Sequence, residues 1–479
     1  MKHPENVDSA PARRWTFLLV ISLGLLLIGV DNSILYTALP QLRAQLGTSE
    51  TQALWIINAY PLVLAGLLLG TGTLGDRIGH RLMFLLGLGV FGVASLAAAF
   101  APGAWFLVAA RALLGLGAAT MMPATLALIR ITFSDERERN TAIGVWGSVA
   151  VIGAALGPVL GGLLLEYFWW GSVFLLNVPV VLAALVATVL VAPPNMPDPA
   201  KRWDAPSSLL ALVTLSSLVT AIKETANPDR AGWLLALSAL LTVLGAALFV
   251  RRQNRLADPL LTFDVFRSRV FSGGVLAAGG AMFAVAGVEL LTTQRFQLVA
   301  GRSPLEAGLI VVAVTVAAFP FSILGGAVLH RVGFAPLISG GFLAVALGVA
   351  LGAWAGGTDL LPAFIAALAL VGAGAGSIMS VSSTAIIGSA PLRRAGMAAG
   401  VEAVSYEFGT LLSVAVLGSL LPLLYARAAG GDMLTALDGA AYDDAYLSIL
   451  LIISAAAAVF AAVTGWCFRD NPKGAHAPE

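Results

Sequence analysis

Long apolar runs alternate with short polar breaks from one end of this chain to the other. A helix needs roughly twenty consecutive apolar residues to cross the hydrocarbon core of a bilayer. Runs of about that length fall at 15–37, 52–72, 82–100, 104–129, 140–165, 171–192, 206–223, 232–250, 270–294, 304–328, 335–355, 360–385, 396–424 and 444–467. The pattern predicts an all-α polytopic membrane protein with about fourteen transmembrane helices. Gly and Ala recur inside the runs, which suits helices whose backbones approach closely in lipid. The first run is long for a signal-peptide core and lacks a small-residue cleavage site, so it reads as a retained span.

Composition agrees. Only 11% of residues are charged, where a soluble domain carries about 25%. A net charge of +1 gives no footing for nucleic acid. The single cysteine, Cys467, cannot form an internal disulfide or a multi-cysteine metal site and reads as a small apolar residue. With the N-terminus placed inside, twenty of the 27 Lys and Arg fall on inner segments and six, Lys223 among them, on outer ones, with Arg111 inside a span. Positive charge favours the cytoplasmic side, so both termini are expected there. The Pro-rich stretch Ala192 to Pro199 and the basic stretch Arg251 to Arg269 divide the chain. An N-terminal six-helix bundle is expected over 1–193, a linker with two inserted helices over 194–264, a C-terminal six-helix bundle over 265–470 and a tail over 471–479. The inserted pair has few polar residues in its spans and reads as structural.

The breaks and the few polar positions inside spans carry the chemistry. Gly72-Thr73-Leu74-Gly75-Asp76-Arg77-Ile78-Gly79-His80-Arg81 joins the second and third runs. Its glycines permit a tight reversal. This string resembles the loop between spans two and three of the major facilitator superfamily, a large class of secondary transporters. The resemblance implies that Gly72, Asp76, Arg77, Gly79 and Arg81 act in the conformational change, with Asp76 tying the ends of its two spans to a neighbouring helix. A weaker copy, Gly326 to Gly333, aligns Gly72, Arg77 and Gly79 with Gly326, Arg331 and Gly333 at one constant offset. Two related halves about an axis along the membrane normal are therefore expected.

An ionised side chain at the centre of a span costs about 2.5–3.5 kcal/mol on insertion scales, which makes Asp31, Arg111, Glu289, Glu402 and Glu407 functional candidates. The plainer role for Asp31 is a structural bond to a neighbouring helix, and for Arg111 a bond to carbonyls or a carboxylate. Arg111 requires some partner in either case. Asp31-Asn32-Ser33 through Ala38-Leu39-Pro40 is similar to the first-span signature of fourteen-span drug:proton antiporters. Arg111 to Gly117 resembles the superfamily's fourth-span motif, whose Arg is linked to proton transfer. Gly153, Gly157 and Gly161 recur at i, i+4 and i+8 and leave one bare helix face, beside Pro158, which removes a backbone hydrogen bond. The string Gly153 to Gly162 resembles the fifth-span antiporter motif, and Trp169 to Pro179 the entry to span six. Val401-Glu402-Ala403-Val404-Ser405-Tyr406-Glu407-Phe408-Gly409 resembles the matching helix of quaternary-ammonium efflux pumps. Glu402 and Glu407 point about 140° apart at 100° per residue, so one is expected to face a cavity and the other a neighbouring helix. Trp55, Tyr60, Trp146, Phe174, Gln294 and Tyr406 are candidate cavity-lining residues.

No G-x-x-x-x-G-K-[ST] string occurs, so energy is expected from an ion gradient. The resemblance implies a monomeric, proton-coupled multidrug antiporter of the bacterial inner membrane, not an enzyme, with protons as the coupling ion and no other cofactor. Asp31, Glu407 and Arg111 would couple protons. Asp31, Glu289, Glu402 and Glu407 would meet lipophilic cations such as quaternary ammonium compounds, cationic dyes and biocides. A facilitator-type exporter of a physiological solute is the alternative. A non-transporting receptor or scaffold has no need of these intramembrane charges.

Overall fold

The computed structural model of the chain describes residues 11–200, 203–226, 231–256, 259–357, 360–390, 394–429 and 437–469; the expected tail 471–479 lies outside them. Fifteen helices are described: α1 Pro11–Leu46, α2 Glu50–Ile78, α3 His80–Ala99, α4 Ala104–Thr132, α5 Glu136–Tyr167, α6 Ser172–Leu175, α7 Asn177–Val191, α8 Ala205–Ala226, α9 Gly232–Gln253, α10 Arg269–Leu298, α11 Pro304–Val332, α12 Phe334–Gly357, α13 Leu361–Gly388, α14 Ala395–Ala429 and α15 Gly439–Phe468. Among the described residues, fourteen helical stretches are long and apolar enough to cross a membrane, with α6 and α7 forming one of them. Most helices overrun their apolar runs, because a helix satisfies its own backbone and need not stop at the hydrocarbon edge. α8 is one of these: it continues to Ala226 and carries Lys223 inside it, buried. Lys223, at the end of the run 206–223 and counted above with the outer segments, is therefore enclosed and not in open solvent. The run 171–192 is broken at Leu176. Pro179, two residues into α7, lacks an N–H and its ring excludes the carbonyl four residues back, so α6 cannot run straight on.

The two halves reuse the same turns. Gly47 and Gly301 have φ 60° and 61°, and Gly79 and Gly333 have φ 97° and 88°. Both pairs are separated by the offset that relates Gly72 to Gly326. Ser49 with Gln52 and Ser303 with Glu306 form capping boxes at that offset as well. Positive φ is a conformation that glycine adopts without the steric cost other residues carry.

The Gly72–Arg81 stretch, expected to be a connecting loop, is helical except at Gly79, where α2 turns into α3, and it is locked to the Pro-rich stretch after α7. Asn195 Nδ2 donates to the Ile78 carbonyl at 2.7 Å, and its Oδ1 accepts from the Leu82 N–H at 3.2 Å. Arg81 donates to the carbonyls of Val189 and Pro193 at 3.1 and 3.3 Å. The Asp198 N–H donates to the Asp76 carbonyl at 3.0 Å, and the Asp76 carboxylate lies 3.0 Å from His80 Nε2. Arg77 is exposed, and Gly72 abuts Pro123 of α4. A Cβ at Gly79 would meet the Asn195 amide in a backbone already at positive φ. Gly79→Ala is expected to destabilise this corner by about 1–3 kcal/mol. Amide exchange at residues 79–83 should then quicken while the helix interiors stay protected; exchange equal to the parent's would contradict the account.

One apolar core gathers side chains from Phe17 to Ala192, another from Ala277 to Phe468. α8 and α9 stand beside them, and α8 packs on α2 and α14 through Leu62, Val219, Leu411 and Ala415. Arg252 grips Asp204 at 2.7 Å at the mouth of this pair. Burial opposes charge on Asp204, yet hydrogen bonds from Arg252 and Ser207 outweigh it and hold the carboxyl below the ordinary carboxylate range. Near the inner end Gly400 of α14 abuts Leu69 of α2, whereas the polar contacts between the halves lie at the end that the charge pattern assigns to the outside. There Gln297 Nε2 donates to the Thr37 carbonyl at 2.9 Å, Ser303 bonds Glu166 at 3.4 Å, and Tyr36, Leu39, Leu54, Ala286, Leu290 and Val414 form one cluster. At the opposite end of α5, Gly144 and Gly147 face open space. Exposed Trp105, Trp233 and Trp354 at one set of helix ends and Trp203 and Trp466 at the other suit the two faces of a bilayer.

Candidate functional site

The N-terminal half carries a buried polar centre. α1 contributes Asp31 and α4 contributes Arg111, each 1% exposed, and their side chains form a salt bridge. Arg111 Nε donates to the Ile56 carbonyl of α2 at 3.2 Å, and its guanidinium lies 4.6 Å from the centre of the Tyr60 ring. Asn177 Nδ2, at the start of α7, donates to Asp31 at 3.1 Å and to Ser95 of α3 at 3.2 Å. Five helices thus meet on one ion pair. Two charges removed from water are tolerated only when paired and further hydrogen-bonded, and each of these donors meets that need. Asp31 faces the interior of its own half and has no exposed surface to offer a solute in this state.

The α1–α5 contact beside it follows from the glycine ladder. A Cβ added at Gly153 would sit 2.9 Å from the Leu26 carbonyl oxygen, and one at Gly157 would sit 2.9 Å from Ile34 N and from the Val30 oxygen. Gly161 meets Ile34. One residue further round the helix, the Pro158 carbonyl abuts Gly308, and Gly162 abuts Pro304 and Leu305 of α11. α5 therefore shows one bare face to α1 and a second, about 100° away, to the other half of the protein.

The C-terminal half supplies the remaining acids. Glu402 is 8% exposed and accepts from the Tyr406 hydroxyl at 3.0 Å; that hydroxyl also reaches the Met379 carbonyl of α13 at 3.2 Å. Glu402 and Tyr406 thus face α13, inside their own half. Glu407 faces the other way. It lies within electrostatic reach of Tyr36 on α1 and Tyr60 on α2, and its Oε2 is enclosed without a hydrogen bond. Glu289 of α10 is 8% exposed and lies within electrostatic reach of Tyr36. Tyr36 is also within reach of Arg111. Glu289 and Glu407 of the C-terminal half and Arg111 of the N-terminal half thus all lie within electrostatic reach of Tyr36.

The other candidates separate. Trp146 donates to Thr125 Oγ1 at 3.0 Å and ties α5 to α4. Phe174 is fully buried, edge-on to Trp170, and packs in the N-terminal core; it does not line a cavity. Gln294 borders a void of about 20 Å³ beside the Arg43–Glu50 ion pair, at the closed end. Trp55 lies under the ammonium of Lys223. Three residues escaped the sequence reading: Tyr36, Asn177, and Asn58, which is fully buried with neither amide atom bonded. An amide inside an apolar run is the signal that could have found Asn58.

Residues 21–296 match the family model described as Major Facilitator Superfamily. The chain belongs to the major facilitator superfamily. Among its superfamily relatives is the methyl viologen resistance protein SmvA of Salmonella typhimurium, 39% identical over 85% of this chain and 83% of that one. The multidrug efflux pump LfrA of Mycolicibacterium smegmatis is 38% identical over 88% and 83%. The puromycin resistance protein pur8 of Streptomyces alboniger is 33% identical over 96% and 92%. The fold matches that of a bacterial homologue of the human lysosomal transporter Spinster in an inward-facing, unoccupied conformation. The TM-score is 0.68 at 16% identity, over 96% of this chain and 98% of that one. This superfamily member is a multi-pass inner-membrane transporter and not an enzyme.

Proposed function

We propose that the protein is a multidrug efflux antiporter that exchanges protons for lipophilic cations by alternating access between its two halves. The observation that carries this reading is Glu407, a carboxylate from the C-terminal half with an enclosed, unbonded oxygen, within electrostatic reach of Tyr36 and Tyr60 of the other half. A carboxylate there is neutralised by a proton or by a cationic cargo, and one excludes the other. That competition is the minimum physics of exchange. Closure at one end and separation along α5 at the other supply the two-sided access that a midplane site needs. The relatives' resistance to methyl viologen, itself an organic dication, and to several drugs supports the substrate class. The bacterial cytoplasmic membrane provides the gradient: one charge across 100 mV is worth about 2.3 kcal/mol.

The test is export of tetraphenylphosphonium from vesicles under an imposed proton gradient, against a neutral compound of similar shape. Gradient-driven efflux of the cation with proton counterflow is expected. Glu407→Gln should reduce it at least tenfold, about 1.4 kcal/mol of coupling, and spare any export of the neutral compound. Undiminished cation efflux by Glu407→Gln would overturn the assignment.

A further inference from the structure

Lys223 is in the last turn of α8, 6% exposed, and its Nζ lies 4.1 Å above the centre of the Trp55 ring. Among the described residues that ammonium has no hydrogen-bond partner. Its sequence neighbour Glu224 is turned elsewhere and accepts from the Ala231 N–H at 3.1 Å. An enclosed ammonium without a hydrogen bond is held at a cost, and the face of an indole is the side-chain surface that best compensates it. Leu62, Val219, Leu411 and Ala415, with Phe408 and Ile222, form the hydrocarbon collar. Asn58 lies on the same face of α2, three residues from Trp55 and four from Leu62. It is fully buried with a carbonyl oxygen that nothing occupies. An aromatic face, a free amide oxygen and an apolar collar are the features that recognise an organic cation. Further along the same seam, an apolar crevice of about 240 Å³ opens between α2, α8, α9 and α14, past Gly66, Leu215 and Val404. None of Trp55, Asn58 and Lys223 lines that crevice, so the room at the Trp55 face itself is the space that the Lys223 side chain would vacate.

We propose that the Trp55 face is an organic-cation site and that Lys223 is its built-in occupant, displaced when a cationic cargo binds. The inference rests on the reading of the protein as a cation exporter and gives the inserted helices a part in choosing the cargo. Lys223 is suited to withdrawal. Its four-carbon stem is flexible, its ammonium is strongly hydrated, and three residues separate it from the end of α8. A small hydrated cation gains little by replacing it. A lipophilic cation brings apolar area for the collar as well as charge for the ring, so displacement selects for bulk.

Equilibrium binding of tetraphenylphosphonium to the full-length purified protein in lipid nanodiscs tests this. Lys223→Met should bind about tenfold more tightly than the parent, since the competing internal cation is gone. Lys223→Gln should bind more tightly too, and Lys223→Arg should match the parent. The gain should vanish in Lys223→Met/Trp55→Leu. Unchanged or weaker binding by folded Lys223→Met and Lys223→Gln overturns the proposal while leaving cation export standing. A gain that survives Trp55→Leu also overturns it, because the lost charge then acts at a distance. If no variant and no parent binds the cation, this inference and the functional reading fall together.

Discussion

Asp31→Asn is expected to abolish proton-driven export, by a factor of a hundred or more, and to lower the unfolding temperature as well. Asparagine preserves the shape of the side chain but leaves Arg111 charged, 1% exposed and without its counter-ion. Breaking one partner out of a buried pair costs about 3–5 kcal/mol, because the remaining charge is uncompensated. The Ile56 carbonyl and the Tyr60 ring would still hold the guanidinium, so the helices should insert and assemble. Stability and coupling are separated by a second variant. Asp31→Asn/Arg111→Gln is neutral at both positions and should recover much of the lost unfolding temperature without recovering export. Substrate-induced proton release from purified protein is the direct readout: the parent is expected to release protons on binding cation, and Asp31→Asn/Glu407→Gln should not. If the charge-free pair exports as the parent does, the ion pair is a staple only, and proton carriage lies elsewhere.

Gly157→Leu is the other substitution with a large expected effect. The new Cβ would sit 2.9 Å from Ile34 N and from the Val30 oxygen, and would overlap Ser33 Oγ. These are mostly backbone atoms of α1, which cannot turn aside as a flexible side chain does. α1 and α5 must then part along the stretch that carries Asp31. Overpacking of this kind costs about 1–3 kcal/mol, more where backbone must move. Export should be lost while the protein still inserts, since the substitution makes α5 more apolar. Gly89→Leu on α3 is the control, because nothing lies within 4 Å of a Cβ there and α3 takes no part in the contact between the halves. It should export nearly as the parent does. Normal efflux by a well-expressed Gly157→Leu protein, or equal loss in Gly89→Leu, would end the packing account. Because Gly162 and Pro158 present the adjacent face to α11, any shift of α5 against α1 is carried to the contact between the halves.

Fourteen spans, two repeated halves, the bare face of α5 and the turn at Gly79 were all legible in the sequence. Each is a property of a few neighbouring residues: the length of an apolar run, a spacing of four, a glycine where the chain must reverse. Backbone hydrogen bonding in lipid converts such local patterns directly into helices, with little else to compete. Partner choice was not legible. Four intramembrane acids were open to Arg111, and only the packing of α1 against α4 selects Asp31, eighty positions away. The divergence of Glu402 and Glu407 followed from helix geometry, but which of them meets the N-terminal half was settled by the way α14 rotates against α2 and α13. Lys223 was counted with the outer segments because it ends its apolar run, whereas packing encloses it over the Trp55 ring. Phe174 was placed beside a cavity on its type alone, and packing put it in a core. The sequence by itself determined where the helices are and which of their faces are smooth; the azimuth of each helix, and with it every pairing of charge with charge or ring, depended on contacts between residues far apart in the chain.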